Sequence, residues 1–148
     1  MARLHLSALT LLVEFRGRGT PVDTAPGFSI SEATGPVELI SASAMAALSS
    51  PGVAKMKTRV FTLDGRFWEA GEISFAQLDG SLLVDSPAPG TVHQRPDGTS
   101  YGSITWRVLS GTGRLAGAQG LVTGNFTGDS SGGFTDYQVY NLLLSPRE

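Results

Sequence analysis

The sequence has no cysteine, which excludes disulfides, zinc sites built from thiolates and a cysteine nucleophile. It is also poor in charge, since only 16% of the residues are charged and 11 basic against 13 acidic side chains leave a net charge of -2. A chain without a basic surplus has little with which to neutralise phosphates or hold an anionic membrane. We therefore expect neither nucleic acid nor a membrane as a partner.

Long apolar runs are missing as well. The best candidate, residues 4–13, is far shorter than the ~18–20 residues that span a bilayer. It is also a poor secretory signal, because His5 interrupts it, Glu14 follows it at once and no small-residue cleavage site comes soon after. The sequence thus predicts a cytoplasmic protein.

Motifs for cofactors are also lacking. The glycine-rich stretch 111–120 contains no Gly-Lys-Ser/Thr, and its glycines do not have the spacing of a dinucleotide-binding turn. The two histidines, His5 and His93, are too few and too far apart in the sequence to indicate a metal site. We expect no cofactor and no metal.

What is present is the composition of a folded, turn-rich domain, with 41% hydrophobic residues, 19 glycines and 8 prolines. A chain of 148 residues has the size that builds one hydrophobic core, so residues 1–148 are expected to form a single domain. Helical patterns are scarce. Only residues 41–49, which are rich in Ala and end before Pro51-Gly52, predict a short helix.

Three Asp-Gly pairs, at positions 64–65, 79–80 and 97–98, separate runs of β-branched, aromatic and alternating residues. Asp-Gly supplies the positive φ angles of tight hairpin turns, and the spacing of the pairs suits an antiparallel meander. The predicted strands cover residues 3–15, 36–41, 54–63, 66–77, 80–85, 90–95, 99–109, 120–127 and 133–144. Residues 17–35 show little periodicity and predict a long loop, a candidate lid.

Alternation assigns faces to several of these strands. In the strand over 66–77, Phe67, Ile73 and Phe75 share the face that should point to the core. Glu69 belongs to the same face, which places a carboxylate among apolar side chains. Glu69 is therefore the polar residue of greatest interest in the sequence.

The first strand is apolar on both faces, with Leu9, Leu11 and Val13 on one side and Leu4, Leu6 and Leu12 on the other. An antiparallel strand of this kind needs a covering element on its second face. The helix predicted over 41–49 or another subunit would provide it. We expect a homo-oligomer, a dimer or a trimer.

The last third of the chain resembles a known superfamily. A strand ending at Ser110 is followed by Gly-Thr-Gly-Arg-Leu-Ala-Gly-Ala-Gln-Gly, a strand over 121–127, a turn and a final strand with Thr135-Asp136-Tyr137-Gln138-Val139-Tyr140. Over residues 99–144 this order is similar to that of the allene oxide cyclase-like and dirigent-like β-barrels. The resemblance implies an all-β fold, a closed antiparallel up-and-down barrel of about eight strands (calycin-like), whose lumen holds an apolar small molecule. An eight-stranded barrel is wide enough for one small ligand.

Such a lumen suggests roles for particular residues. Burial raises the pKa of a carboxyl group, so Glu69 is a candidate acid or base near neutral pH. Tyr140 could orient a carbonyl group by a hydrogen bond, and His93 is a third catalytic candidate. The alternatives are an ion pair or a place at the rim for Glu69, core packing for Tyr140 and a partly exposed structural role for His93. The residues expected to contact a substrate are Phe67, Phe75, Trp106, Phe126 and Met56.

The preferred hypothesis is a cofactor-independent enzyme, a cyclase, isomerase or lyase, that acts on a hydrophobic small molecule folded into a reactive shape in the lumen. The alternative is a non-catalytic carrier or a dirigent-like binding protein, which needs the same cavity without a titrating group. A third interpretation is a structural barrel packed solid by its own side chains, which predicts no ligand cavity.

Overall fold

The computed structural model describes residues 7–21, 26–42 and 52–145, and these ranges are almost entirely β-structure. The strands are β1 Ser7–Pro21, β2 Phe28–Ala42, β3 Gly52–Leu63, β4 Arg66–Phe75, β5 Gly80–Asp85, β6 Gly90–Gln94, β7 Ser100–Gly111, β8 Gln119–Gly128 and β9 Gly133–Leu144. The described part also has two 3-10 helices, Ala76–Leu78 and Gly113–Leu115. None of its helices has the length and apolar character needed to cross a membrane. The all-β prediction is confirmed.

The helix predicted over 41–49 falls mostly outside the described residues. Its first two positions, Ser41 and Ala42, are the last residues of β2 and are paired with β1. The predicted first strand, residues 3–15, is described from Ser7 onward.

The strands close into an antiparallel barrel. Neighbouring strands follow the order β3-β2-β1-β9-β8-β7, and β3 also pairs with β4. Two short strands, β5 and β6, complete the ring, because each pairs with both β4 and β7. They lie end to end, and Pro87 and Pro89 between them lack the N–H groups that a continuous strand would use. The barrel therefore has eight strand positions, as the resemblance implied.

Two of the three Asp-Gly pairs form tight turns between strands. Asp64 and Gly65, with φ of 51° and 73°, join β3 directly to β4, and Gly98 with φ of 86° lies in the turn between β6 and β7. The third pair differs from the prediction. Asp79, with φ of 41°, ends the 3-10 helix Ala76–Leu78, and Gly80 then begins β5. The chain makes this wider turn with Leu78 fully buried in the core.

The loop expected over 17–35 is instead mostly paired strand. β1 continues to Pro21 and β2 begins at Phe28, and their register extends to the pair Pro21 and Ser29. Backbone pairing needs no apolar alternation, so glycine-containing strands such as this end of β1 give no periodic signal. The Gly19 N–H also donates to the Gly132 carbonyl oxygen at 3.0 Å, which attaches this hairpin to the turn between β8 and β9.

One half of the barrel interior is packed solid. Trp106, Tyr140 and Phe75 are fully buried there, and the Phe75 and Tyr140 rings meet edge to face with centroids 5.4 Å apart. Leu78 and Leu115, from the two 3-10 helices, are also fully buried and close this end. Each such side chain contributes about 1.5–3 kcal/mol to the stability of the fold. The packing of this half therefore stabilises the barrel, including the half that is not packed.

Gly113 tests the close approach of the turns at the closed end, and Gly65, in the turn between β3 and β4 at the open end, is its control. A Cβ added to Gly113, which has φ of +57°, would come within 1.8 Å of the Asp79 carbonyl oxygen. Gly65 has φ of +73°, but its nearest neighbour, the Val92 carbonyl oxygen, would lie at 3.4 Å. We expect Gly65→Ala to lower the free energy of unfolding by about 1 kcal/mol through backbone strain, and Gly113→Ala to lower it by more than about twice as much. Urea unfolding measures both losses, and equal values would contradict the contact between the two turns.

Candidate functional site

The other half of the barrel interior holds a cavity of about 220 Å³, which opens away from the 3-10 helices. Its apolar lining consists of Met56, Val60, Phe67, Val92, Phe126 and Phe134, and its polar lining includes Ser31, Thr62, Glu69, Ser100, Asp129 and Asp136. An apolar cavity of about 150 Å³ is large enough for benzene. This cavity therefore has room for a molecule of about one substituted ring, and the barrel is not packed solid.

Glu69 lies on β4 in the cavity wall, and only 8% of its surface is exposed. Its N–H donates to Ser86 Oγ at 3.0 Å, and its carbonyl oxygen accepts from the Ser86 N–H at 2.9 Å. The carboxyl group has a side-chain partner on β3, because the Thr58 hydroxyl donates to Glu69 Oε1. No Lys, Arg or His is among the described lining residues. Glu69 thus lies in the lumen without an ion pair.

Asp136 on β9 brings a second carboxyl group to the same cavity, with 4% of its surface exposed. β4 and β9 are four positions apart in a ring of eight, so the two acids come from opposite walls. Asp136 Oδ2 accepts a hydrogen bond of 2.7 Å from Gln138 Nε2, and Gln138 Oε1 accepts one of 2.5 Å from the Tyr140 hydroxyl. Since alternate residues of a strand share a face, these three side chains form one hydrogen-bonded chain from the packed half to the cavity.

The chemistry of these groups shows which of them donates and which accepts in each hydrogen bond. An amide oxygen only accepts, so the Tyr140 hydroxyl is the donor to Gln138. The amide nitrogen donates, and its two neighbours, Asp136 Oδ2 and Met56 Sδ at 3.3 Å, are both acceptors. Turning the amide over would place its oxygen against the sulfur and remove the acceptor of the Tyr140 hydroxyl. Asp136 Oδ2 is therefore held as an acceptor, which favours the ionised form of that carboxyl group.

Burial shifts both carboxyl groups toward the neutral form. It raises the pKa of Glu69 to about 7, where the Thr58 hydrogen bond opposes the shift and the charge of Asp136 adds to it. It also raises the pKa of Asp136 to about 6, opposed by the Gln138 hydrogen bond. Burial, together with the two acids, raises the pKa of Tyr140 well above its usual value, so this hydroxyl stays protonated. As the pH falls, the first proton therefore binds to Glu69 and the charge remains on Asp136.

Two buried polar atoms beside the acids lack a hydrogen-bond partner of normal geometry, Trp106 Nε1 and Asp136 Oδ1. Trp106 still lowers the pKa of Glu69, although its N–H does not reach hydrogen-bond geometry. Asp136 Oδ1 lies over Gly124 on β8, where an added Cβ would come within 3.0 Å of it. Gly124 thus provides the room for this oxygen. An unpaired buried acceptor costs about 1–3 kcal/mol of stability.

Four of the eight predicted site residues line the cavity, namely Glu69, Met56, Phe67 and Phe126. Phe67 and Phe126 are in edge-to-face contact with ring centroids 5.5 Å apart. The alternation that assigned the inward face of β4 is confirmed, since Phe67 and Glu69 are both buried.

Three further predicted residues lie below the cavity rather than in its lining. Phe75 and Trp106, which we expected to contact a substrate, are buried in the packed half. Tyr140 does not reach the cavity either, because its hydroxyl is bonded to Gln138. Its position suits an indirect role, through Gln138 on Asp136, better than the contact with a carbonyl group expected from the sequence.

His93 lies on the outer face of β6, away from the lumen. Val92 takes the inward position on this strand, so alternation directs His93 to the outside. Its ring stacks on Tyr101 with centroids 5.0 Å apart, and the Arg95 guanidinium lies 4.9 Å from the Tyr101 ring centre. The expectation that His93 joins Glu69 and Tyr140 in a lumen site is therefore corrected.

The site residues that the sequence did not single out are Asp136, Gln138 and Phe134. The signal was present in the alternation of the last strand, where these residues share a face with Tyr140 and Leu142. What the sequence could not indicate is that β9 faces β4 across the lumen, because that depends on the order in which the strands close.

A larger concavity, of about 800 Å³, lies on the outer face of β1 to β5. Its side chains include Lys55 and Arg59, and Lys57 forms an ion pair of 3.3 Å with Glu32. Exposed charges of this kind are solvated and contribute little. The lumen combines burial with two shifted carboxyl groups, which is the combination found at functional sites, and it is the candidate site despite its smaller volume.

Comparison with known proteins agrees with the architecture. No family model and no curated protein matches this sequence. Among solved structures, a pterocarpan synthase dirigent protein is similar over 93% of this chain and 89% of its own, with a TM-score of 0.54 and 11% sequence identity. The chain thus has a dirigent-like barrel fold, which extends well beyond residues 99–144 that resembled the superfamily in sequence. At this identity the likeness concerns the fold alone.

The two buried acids predict how stability varies with pH. Because the pKa values of Glu69 and Asp136 are raised in the folded state, the folded protein binds more protons than the unfolded chain, and stability falls as the pH rises from about 4 to about 8. The shift of Glu69 alone corresponds to roughly 3 kcal/mol. We expect Glu69→Gln to be more stable than the wild type at pH 8 and similar at pH 4.5, as measured by urea unfolding. The control is Glu72→Gln on the outer face of β4, and a stability of the wild type that does not change with pH would contradict the burial of the pair.

Proposed function

We propose that the barrel binds a small, largely apolar molecule in the lumen and converts it by acid–base catalysis without a cofactor, as a cyclase, isomerase or lyase. The observation that carries this proposal is the pair of buried carboxyl groups, Glu69 and Asp136, on opposite walls of one apolar cavity. Raised pKa values of about 7 and about 6 favour the state with Glu69 protonated and Asp136 ionised between about pH 6 and 7. A neutral acid and a charged base across one cavity are the pair that proton transfer requires.

The chemistry follows from these protonation states. Asp136, held as an acceptor by Gln138, removes a proton from the bound molecule, and Glu69 donates its own proton at a second position. The molecule gains and loses one proton, so an isomerisation or ring closure leaves its formula unchanged, and an elimination releases water if the donated proton goes to a hydroxyl group. The apolar walls exclude water and hold the molecule between the two groups.

A non-catalytic carrier of dirigent type is the second candidate function. The similarity to a pterocarpan synthase dirigent protein favours a barrel that binds a small molecule. A similar fold does not by itself indicate catalysis. The partners of the two acids also suit a carrier, since Thr58 and Gln138 each already satisfy one carboxyl oxygen.

Glu69→Gln and Asp136→Asn distinguish the two functions. Small apolar compounds with a hydroxyl or carbonyl group are screened for binding by the shift of the Met56 methyl resonance, identified among the three methionines by Met56→Leu. Bound compounds are then followed for conversion by mass spectrometry. We expect turnover that rises with pH as Asp136 ionises and falls as Glu69 loses its proton, and a kcat about 10²–10⁴-fold lower in either variant.

Glu72→Gln is the matched control, because it makes the same change on the outer face of β4 and should leave turnover unaltered. Binding without conversion by the wild type would favour the carrier. Full turnover in both lumen variants would also contradict the catalytic proposal.

We further propose that copies of the barrel associate through the outer face of β7 to β9. Leu109, Leu121 and Leu143 are 49%, 50% and 42% exposed on these strands. Leu121 lies opposite Asn141, which places it diagonally to Leu143 on the next strand. Exposed apolar clusters of this kind are typical of interfaces.

Sedimentation velocity at micromolar concentration tests the assembly. We expect a dimer or trimer for the wild type and a shift toward monomer for Leu121→Glu, because a charge there would lose its hydration in the interface. The same substitution at Leu63, exposed on β3 on the opposite side of the barrel from β8, is the control. A monomeric wild type would overturn this proposal.

A further inference from the structure

We propose that the ligand of the lumen is an organic cation, a small amine or quaternary ammonium compound whose positive centre lies between Glu69 and Asp136. This inference rests on the proposed function in one respect only, that the lumen is the ligand site, and it requires no turnover. It names the chemical class of the ligand, which the proposed reaction leaves open.

The charge of the lumen is the first reason. Glu69 and Asp136 face the cavity without a counter-charge, because no described lining residue is basic. A third acid, Asp129, lies at the mouth, where its carboxylate is bonded to its own loop. Among the described residues, Tyr140 is the one other titratable group joined to this network, and its hydroxyl is neutral. Asp136 is ionised at neutral pH and Glu69 joins it as the pH rises above about 7. Burying an unpaired charge costs several kcal/mol, and a cationic ligand would supply the missing partner.

An acceptor of Asp136 that the fold leaves unpaired is the second reason. Asp136 Oδ1 is buried and has no hydrogen-bond partner, and it lies over Gly124 on the inward side of β8. Its other oxygen is held by Gln138. The fold therefore satisfies only one oxygen of this carboxylate, and a positive charge in the cavity would stabilise the carboxylate as a whole without a direct contact to Oδ1.

The apolar walls identify the kind of cation. Phe67, Phe126 and Phe134 line the cavity, and aromatic ring faces attract ammonium groups whose substituents are apolar. A metal ion such as calcium would need six or more oxygen ligands, and no cluster of three or more His, Cys, Asp or Glu side chains that could hold a metal occurs among the described residues. An alkylated ammonium group can be bound by a few carboxyl oxygens together with aromatic rings that contact its alkyl substituents.

The test compares two molecules of the same shape. Choline and 3,3-dimethylbutan-1-ol differ in that a positively charged nitrogen in one is a neutral carbon in the other, and both are small enough for about 220 Å³. Binding to the full chain is measured by titrating the Met56 methyl resonance. At pH 8 we expect choline to bind at least about tenfold more tightly than the alcohol. The preference should disappear at pH 5, where both acids are protonated.

The double variant Glu69→Gln with Asp136→Asn keeps the shape of the cavity and removes its charge. We expect it to bind the alcohol as the wild type does and to lose the preference for choline, while Glu72→Gln retains it. Equal binding of the two molecules by the wild type at pH 8, or no binding of choline, would overturn the proposal, and these outcomes stand even if the double variant fails to fold. A choline preference without loss of turnover in the variants would instead contradict only the catalytic proposal.

Discussion

Closure of the sheet places two carboxyl groups on opposite walls of one largely apolar cavity, and the proposed chemistry depends on that placement. Glu69 and Asp136 are far apart in the sequence and lie on strands that never pair with each other. They meet because four strand positions separate β4 from β9 in a ring of eight. A slip of one residue in either strand would turn its acid to the outside, so the register of the whole barrel is a condition for the site.

The barrel interior is divided between a packed half and a half that holds the candidate site. At one end Trp106, Tyr140 and Phe75 fill the lumen, and the two 3-10 helices close it. The other end holds the cavity with the two acids. Glycine is required where large rings approach the sheet, because a Cβ at Gly124 would meet the Trp106 ring at 2.6 Å and one at Gly102 would meet Phe126 at the same distance. The packed half offsets the cost of the buried acids, and the two glycines make room for the rings beside them.

The strands were largely predictable from the sequence, because alternation and Asp-Gly turns are local signals. Glu69 could be selected for the same reason, since a carboxylate on an apolar face is visible within one strand. His93 could not be assigned, because β6 has five residues and Val92 gives too little alternation to fix a face. The hairpin over 17–35 is held by backbone pairing and not by apolar side chains, and the partnership of Asp136 with Glu69 depends on contacts between distant strands. Sequence patterns thus predict the features that depend on the residues of one strand, and they miss the features that depend on how the strands pair to close the barrel.

The fold by itself does not require either acid. Two apolar residues of similar size would fill the same positions at lower cost, because replacing buried charges by apolar groups is often neutral or stabilising. The protein instead has both carboxyl groups. Gly124, which has no side chain, leaves room beside Asp136, and the hydrogen bonds from Tyr140 to Gln138 and from Gln138 to Asp136 hold one Asp136 oxygen as an acceptor. The similarity to the dirigent protein, at 11% sequence identity, concerns the barrel fold and does not account for these features. Two buried acids that lower the stability of the fold and border a cavity support the proposal that the lumen binds a ligand, and the charge and shape of the cavity indicate the class of that ligand.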